Sequence, residues 1–259
     1  MRTKWIGYLS LSVVLVFAAA CSQQQPTTTS EEPAAGAAPA AAPVDPATAA
    51  TITGKVNFEG QAPQRIRIRM DAVPACTEEN KDPVYSEEVV VNENNTLRDV
   101  FVYVKDGLGN RSFPLPSQEA ALDQHGCVYH PHVIGLMVGQ KLRIKNSDPT
   151  NHNIHPMPME NREWNKSQPP SSADLVEEFP RQEIMVPIKC NVHPWMKAYV
   201  GVVRHPFFAV TGSDGSFELK GLPPGDYTIE VWQEKYGTQE QKVTVGPSET
   251  KDISFSYKG

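Results

Sequence analysis

Beyond residue 50 the apolar positions come in short runs alternating with polar ones, and helical spacing is almost absent. The runs are ITGKVNF (52–58), RIRIRM (65–70), EVVV (88–91), DVFVYV (99–104), QKLRIKN (140–146), EIMVPIK (183–189), AYVGVV (198–203), SFEL (216–219), YTIEVW (227–232), KVTV (242–245) and DISFSY (252–257). RIRIRM and KLRIK alternate strictly, as strands with one wet face do. KDGLGN, GSDG, GLPPGD and VGPSE place turn chemistry between runs. Regularly spaced short strands predict an all-β chain of β-sandwich or small barrel units. The residues from 51 to 259 suffice for one large or two small domains.

The first 50 residues have a different pattern. Arg2 and Lys4 precede an apolar run from Trp5 to Ala20, which closes on Ala18-Ala19-Ala20-Cys21. A basic start, a short apolar core and small residues at its end predict a secretory signal peptide over 1–20. The run is shorter than the roughly 20 apolar residues a permanent membrane-spanning helix needs. Three small residues before Cys21 fit lipidation of that cysteine in a bacterial lipoprotein, against the plainer alternative of simple cleavage. Residues 21–50 are rich in Pro and Ala and lack aromatics, so they cannot bury enough surface to fold and read as a disordered linker. These features predict a body held by an N-terminal lipid at a bacterial membrane, in the periplasm or cell envelope. The formal charge is −6, with no basic patch, which speaks against nucleic acid as a partner.

Export makes each of the four cysteines require a role. With Cys21 lipidated, Cys76 and Cys127 are left as the natural disulfide and Cys190 as the odd thiol. Four cysteines allow three pairings, so this partition depends on the roles of the other two. An unpaired exported cysteine is reactive or metal-bound.

Of seven histidines, six lie between 125 and 193. The grouping that stands out is His152 in NSDPTNHNIH with Cys190, His193 and Met196 in KCNVHPWM. Two imidazoles, one thiolate and a weak thioether suit a copper electron-transfer site with a long axial Met. Zinc would ask for a fourth strong donor in place of the thioether. His155, Met157 and Met159 form H-P-M-P-M beside the first histidine, where a second Cu(I) contact competes with simple exposure in a loop. His130-Pro131-His132 is an H-x-H pair, but a multicopper oxidase centre needs more histidines than this chain has. With no phosphate loop, nucleophile elbow or triad, the chain reads as no enzyme.

Two resemblances carry these residues further. TGSDGSFELKGLPPGDYTIEVW resembles the carboxypeptidase regulatory-like, transthyretin-type sandwich of exported bacterial proteins. Gly54-Lys55-Val56 fits the opening strand of such a sandwich, which predicts a discontinuous domain, 51–106 plus 207–259, interrupted by 107–206; two domains in tandem is the simpler alternative. KCNVHPWM has the C-x2-H-x2-M spacing of the amicyanin and pseudoazurin branch of cupredoxins. GLMVGQKLRIKNSDPTNHNIHPMP (135–158) resembles the strand that leads to their first histidine.

This second resemblance implies a cupredoxin-like Greek-key β-sandwich. It also implies one type 1 (blue) copper ion on His152, Cys190, His193 and Met196. Asn153 would pin the ligand loop, Pro194 and Trp195 would flank the imidazole, and the His193 edge would reach an apolar surface patch as electron port. Lys189 and the long segment 156–182 depart from the pattern. The implied function is a one-electron carrier between protein partners, a cytochrome or another electron-transfer protein. The alternative is a copper-binding, delivery or storage lipoprotein without redox turnover.

Overall fold

The computed structural model describes residues 44–259, so the expected signal peptide, Cys21 and most of the expected linker lie outside the described residues. The linker's last residues are ordered: a turn at Asp45–Thr48 closes on itself and Val44 packs on the core. Among the described residues no helix is long and apolar enough to cross a membrane.

The alternation beginning before Ile52 makes the strand Ala50–Glu59, with Ala50, Ile52, Val56 and Phe58 buried. Gly54 takes the remaining inward place because a Cβ there would come within 2.0 Å of the Ile253 carbonyl oxygen. This strand is the middle of a three-stranded sheet, parallel to Thr250–Lys258 and antiparallel to Ser216–Leu222. A second sheet carries Phe208–Val210, Phe101–Asp106, Gly225–Gln233 and Gly237–Val245 in that order. Val102, Val104, Ile229 and Val231 from it meet Ile52, Phe217, Ile253 and Phe255 in one core.

Two further sheets come from residues 120–203. One runs Lys166–Gln168, His152–Pro156, Glu183–Lys189, Lys197–Val203 and Val133–Met137; the other runs Leu175–Glu177, Leu142–Asn146, Ala120–His125 and Val128–His130. Leu122, Leu136, Leu142, Ile144, Ile154, Val186, Ile188 and Val200 fill the space between them. Among the described residues the fold is all-β apart from the helix Pro74–Glu79.

One strand expected from alternation is absent. RIRIRM makes a single bridge, Arg67 to Tyr85, and Ile66 is exposed. Alternation supplies one apolar face, but a strand also needs a neighbour to complete its ladder, and residues 60–88 run beside the sheets, not within one.

The sandwiches meet through a third apolar cluster of Phe101, Tyr103, Val133, Met185 and Val203. Gly135 and Gly201 are register partners on adjacent strands. A Cβ on Gly135 would lie 2.5 Å from the Phe208 ring, and one on Gly201 2.5 Å from the Phe101 ring. The two bare positions therefore let the aromatic face of one sheet press on the backbone of the other.

Beside them His132 Nε2 lies 2.7 Å from Glu234 Oε2, and the Tyr199 hydroxyl donates to Glu234 Oε1 at 2.9 Å. Burial pushes His132 down, but the hydrogen bond and charge of Glu234 prevail and raise it above its ordinary 6.5. Burial likewise pushes Glu234 up, and the bond to His132 prevails to hold it below 4.5. The raised histidine contributes stability below its unfolded value and loses it as pH rises through the raised one. The depressed carboxylate contributes above its unfolded value and loses it as pH falls through the depressed one. The pair is therefore worth most in mildly acidic solution. Glu234→Gln is expected to cost roughly 3 kcal/mol in urea unfolding there, since it leaves a buried charge unpaired. The difference from the parent should shrink in alkaline solution; a loss independent of pH would contradict the ion pair.

Candidate metal centre

The strand Glu183–Lys189 turns back into Lys197–Val203 with Lys189 opposite Lys197, so residues 190–196 form a short loop at the sheet end. Its neck is closed by Cys190 N–H donating to Met196 O at 3.3 Å, and Met196 N–H donates to His193 O at 2.9 Å. His152 opens the adjacent strand, which pairs with Glu183–Lys189 through Lys189 and His155. Apolar alternation in these strands buries one face, and the loop's ligand-type residues arrive at its rim.

His152, Cys190 and His193 are brought together, each buried, with one donor atom apiece within 4.8 Å of the others. The two Nδ1 atoms face each other at 2.9 Å. Met196 is fully buried in the same apolar cluster as Cys190. His152 Nε2 lies 2.8 Å from Asp148 Oδ2, which holds a proton on Nε2 and turns Nδ1 toward the shared point. Asp148 is held in turn by the N–H groups of Gly126 at 2.6 Å and Cys127 at 2.7 Å.

Asn153 fastens the loop. Its Oδ1 accepts from Asn191 N–H at 2.6 Å and Val192 N–H at 3.3 Å, and lies 3.4 Å from Cys190 Sγ. Asn153 Nδ2 donates to Asn165 Oδ1 at 2.7 Å, and the Tyr129 hydroxyl donates to Asn153 O at 2.6 Å. His193 N–H donates to Cys190 Sγ at 3.4 Å. Burial pushes the Cys190 thiol up, but the bond to His152 and the surrounding backbone hydrogen bonds prevail and hold it below its ordinary value. Burial pushes His152 down, and Asp148 and Cys190 together more than reverse this. His193 is lowered by burial and by the charge of His152. The site favours a thiolate beside one neutral imidazole, the state a soft metal needs.

The donor set fits copper better than zinc. Asp148, the nearest carboxylate, is committed to the back of His152 and to two amides, so the fourth group on offer is the Met196 thioether.

The expected solvent-facing imidazole is corrected by the structure: His193 is only 1% exposed. Cys76 and Cys127 form the expected disulfide, with Cα atoms 5.6 Å apart, and Cys76 Sγ sits 3.7 Å from His193 Nε2. The helix Pro74–Glu79 carries Cys76 over the ligand loop. Trp195 also packs on His193, ring centroids 5.2 Å apart, with its Nε1–H donating to Cys127 O at 2.9 Å. Pro194 is exposed.

The other histidines are drawn elsewhere. His155 contacts Asn191 Oδ1 at 3.0 Å and Glu163 Oε1 at 2.6 Å, while Met159 is exposed. His132 is taken by Glu234, and His130 lies near His125 instead, ring centroids 6.4 Å apart. Asp148, Tyr129 and Asn165 were not singled out from the sequence. Only Asp148 carried a signal, a carboxylate four residues before a candidate ligand.

Residues 194–258 match the family model of the carboxypeptidase regulatory-like domain. Over 54 residues the chain is 44% identical to a probable rhamnogalacturonate lyase A of Aspergillus terreus; this stretch is 20% of the chain and 10% of the lyase. The chain thus spans about a tenth of that curated relative. Solved structures similar to it are copper proteins of the cupredoxin kind. They include a copper-containing nitrite reductase from Thermus scotoductus SA-01 (14% identity, 39% of this chain and 26% of that one, TM-score 0.32). A purple cupredoxin from Nitrosopumilus maritimus matches at 19% identity over 32% of this chain and 99% of its own, TM-score 0.28. An oxidised proline-to-glycine mutant of amicyanin matches at 13% identity over 39% of this chain and 97% of its own, TM-score 0.30. At such scores the likeness is descriptive, and the chemistry of the site follows from its side chains.

Proposed function

We propose that the chain is a one-electron carrier whose single copper ion is held by His152, Cys190, His193 and Met196. The observation that carries this reading is the buried convergence of two Nδ1 atoms 2.9 Å apart with the Cys190 sulfur. A copper ion bound there supplies a one-electron couple between Cu(I) and Cu(II). The protein's part is to keep the donors still. Asp148 fixes the His152 tautomer, Asn153 clamps the loop backbone, and the Cys190–Met196 bond closes its neck. Ligands held in this way do not rearrange when charge changes. Burial of all four side chains also supports a carrier over a delivery protein, which needs a ligand open to exchange.

The same proposal divides the chain into a transthyretin-like domain, 51–106 with 207–259, and an inserted copper-binding domain, 107–206. It takes Cys21 as lipidated, with the body tethered to a membrane on the exported side and meeting a redox protein there. It treats the chain as a carrier and not an enzyme.

Metal analysis and an absorption spectrum of the copper-loaded mature protein test the reading. One copper per chain and an intense visible thiolate-to-copper band, bleached by ascorbate, are expected. A colourless protein that selects zinc would sink it.

A further inference from the structure

We infer that Trp195, not the His193 imidazole edge, is where electrons enter and leave, an inference that rests on the one-electron carrier reading. A buried site needs a covering group that touches a ligand on one side and solvent on the other. His193 fails the second condition, since the Cys76–Cys127 disulfide lies against its Nε2. The disulfide fails it as well: both of its cysteines are fully buried.

On the opposite side, His152 backs onto Asp148, which stands 3.6 Å from exposed His125. That way out crosses two polar contacts and a carboxylate, with no π system in contact with the ligand. Pro194 is exposed and bonded to His193, but its ring is saturated.

Trp195 meets both conditions. Its indole is 5.2 Å, centroid to centroid, from His193 and is fixed by the bond from Nε1–H to Cys127 O. Its other side lines a groove of about 480 Å³ with Ile68, Val84, Tyr85, Val128 and His130. The large π surface therefore bridges the ligand ring and the solvent-facing groove, and the hydrogen bond holds it in that place. The segment 65–86 covers His193 and in doing so builds the far wall of this groove, so closing one exit and forming the other are a single structural event.

The test has two arms. In the copper-loaded reduced protein, oxidation by hexacyanoferrate(III) takes one electron per chain, the iron complex being reduced and the copper oxidised. Trp195→Leu is expected to slow this reaction several-fold with the charge-transfer band and midpoint potential unchanged, and Trp195→Phe to restore most of the rate. An unchanged rate in Trp195→Leu, or an equal loss in Trp195→Phe, overturns the inference. In the metal-free protein, the emission lost in Trp195→Phe should be quenched by acrylamide, which reports access to the indole from the groove; emission that acrylamide does not reach overturns it too. Absence of any charge-transfer band in the parent protein would instead sink the carrier reading itself, so the two failures are distinguishable.

Discussion

Cys190→Ser is expected to abolish the visible band of the copper-loaded protein and weaken copper binding by orders of magnitude, while leaving the folded body intact. The band arises from the thiolate, and Cys190 is the one free cysteine among the described residues. A hydroxyl is a hard, weakly acidic replacement that stays protonated where the thiol does not. The structural cost is small because the hydrogen bonds that tie Cys190 Sγ to the loop and to Asn153 are long, 3.4 Å to Asn153 Oδ1 and 3.4 Å from His193 N–H. The loop backbone is held independently by Asn191 N–H on Asn153 and by the Cys190–Met196 bond. Urea unfolding of the metal-free variant should thus stay within about 1 kcal/mol of the parent. A Cys190→Ser protein that kept its band and its copper would refute the assignment of this sulfur.

How much of this was legible in the sequence depends on how local each signal is. Cys190 and His193 share a short loop with Met196, and loop spacing survives folding unchanged, so the closeness of Cys190 to His193 was readable. The disulfide was readable too, once the other cysteines had roles. The strand AALDQH, over Ala120–His125, was missed because its alanines and polar residues have little β preference of their own; it is a strand because Leu142–Asn146 pairs with it. RIRIRM erred in the opposite direction, with a strong pattern but a partner that pairs with it only over residues 84–86. The cap over His193 had no local signal at all. Cys76 and His193 are 117 residues apart, and nothing near either one specifies the other. The roles expected for Cys21 and Cys190 left Cys76 and Cys127 to form a bridge, but did not point to a bridge lying on His193. The resemblance therefore expected the His193 edge at the surface, where the structure buries it, since the resemblance could not foresee a segment across the loop.

The double variant Cys76→Ala/Cys127→Ala carries the second large effect, because this disulfide supports both histidines at once. Cys76 Sγ rests on His193, while Cys127 N–H donates to the Asp148 oxygen that holds His152. The bridge closes a 51-residue separation, and removing it is expected to cost about 4 kcal/mol of stability through the freed unfolded chain. The cap has other fastenings: Asn80 Nδ2 donates to Gly126 O at 2.8 Å, and Met70, Ile68 and Val84 pack around the cysteines. These keep the segment near its place, so the variant should fold but open more often. Each opening uncovers the His193 ring and loosens the Cys127 amide on Asp148. Copper transfer to an excess of chelator should then be faster than in the parent by a larger factor than the change in unfolding rate explains. Denaturing the metal-free parent without reductant should expose one titratable thiol in the mature chain, the Cys190 sulfur. If copper leaves the variant no faster than the parent once unfolding is subtracted, the disulfide is a staple for the fold and not a seal on the site.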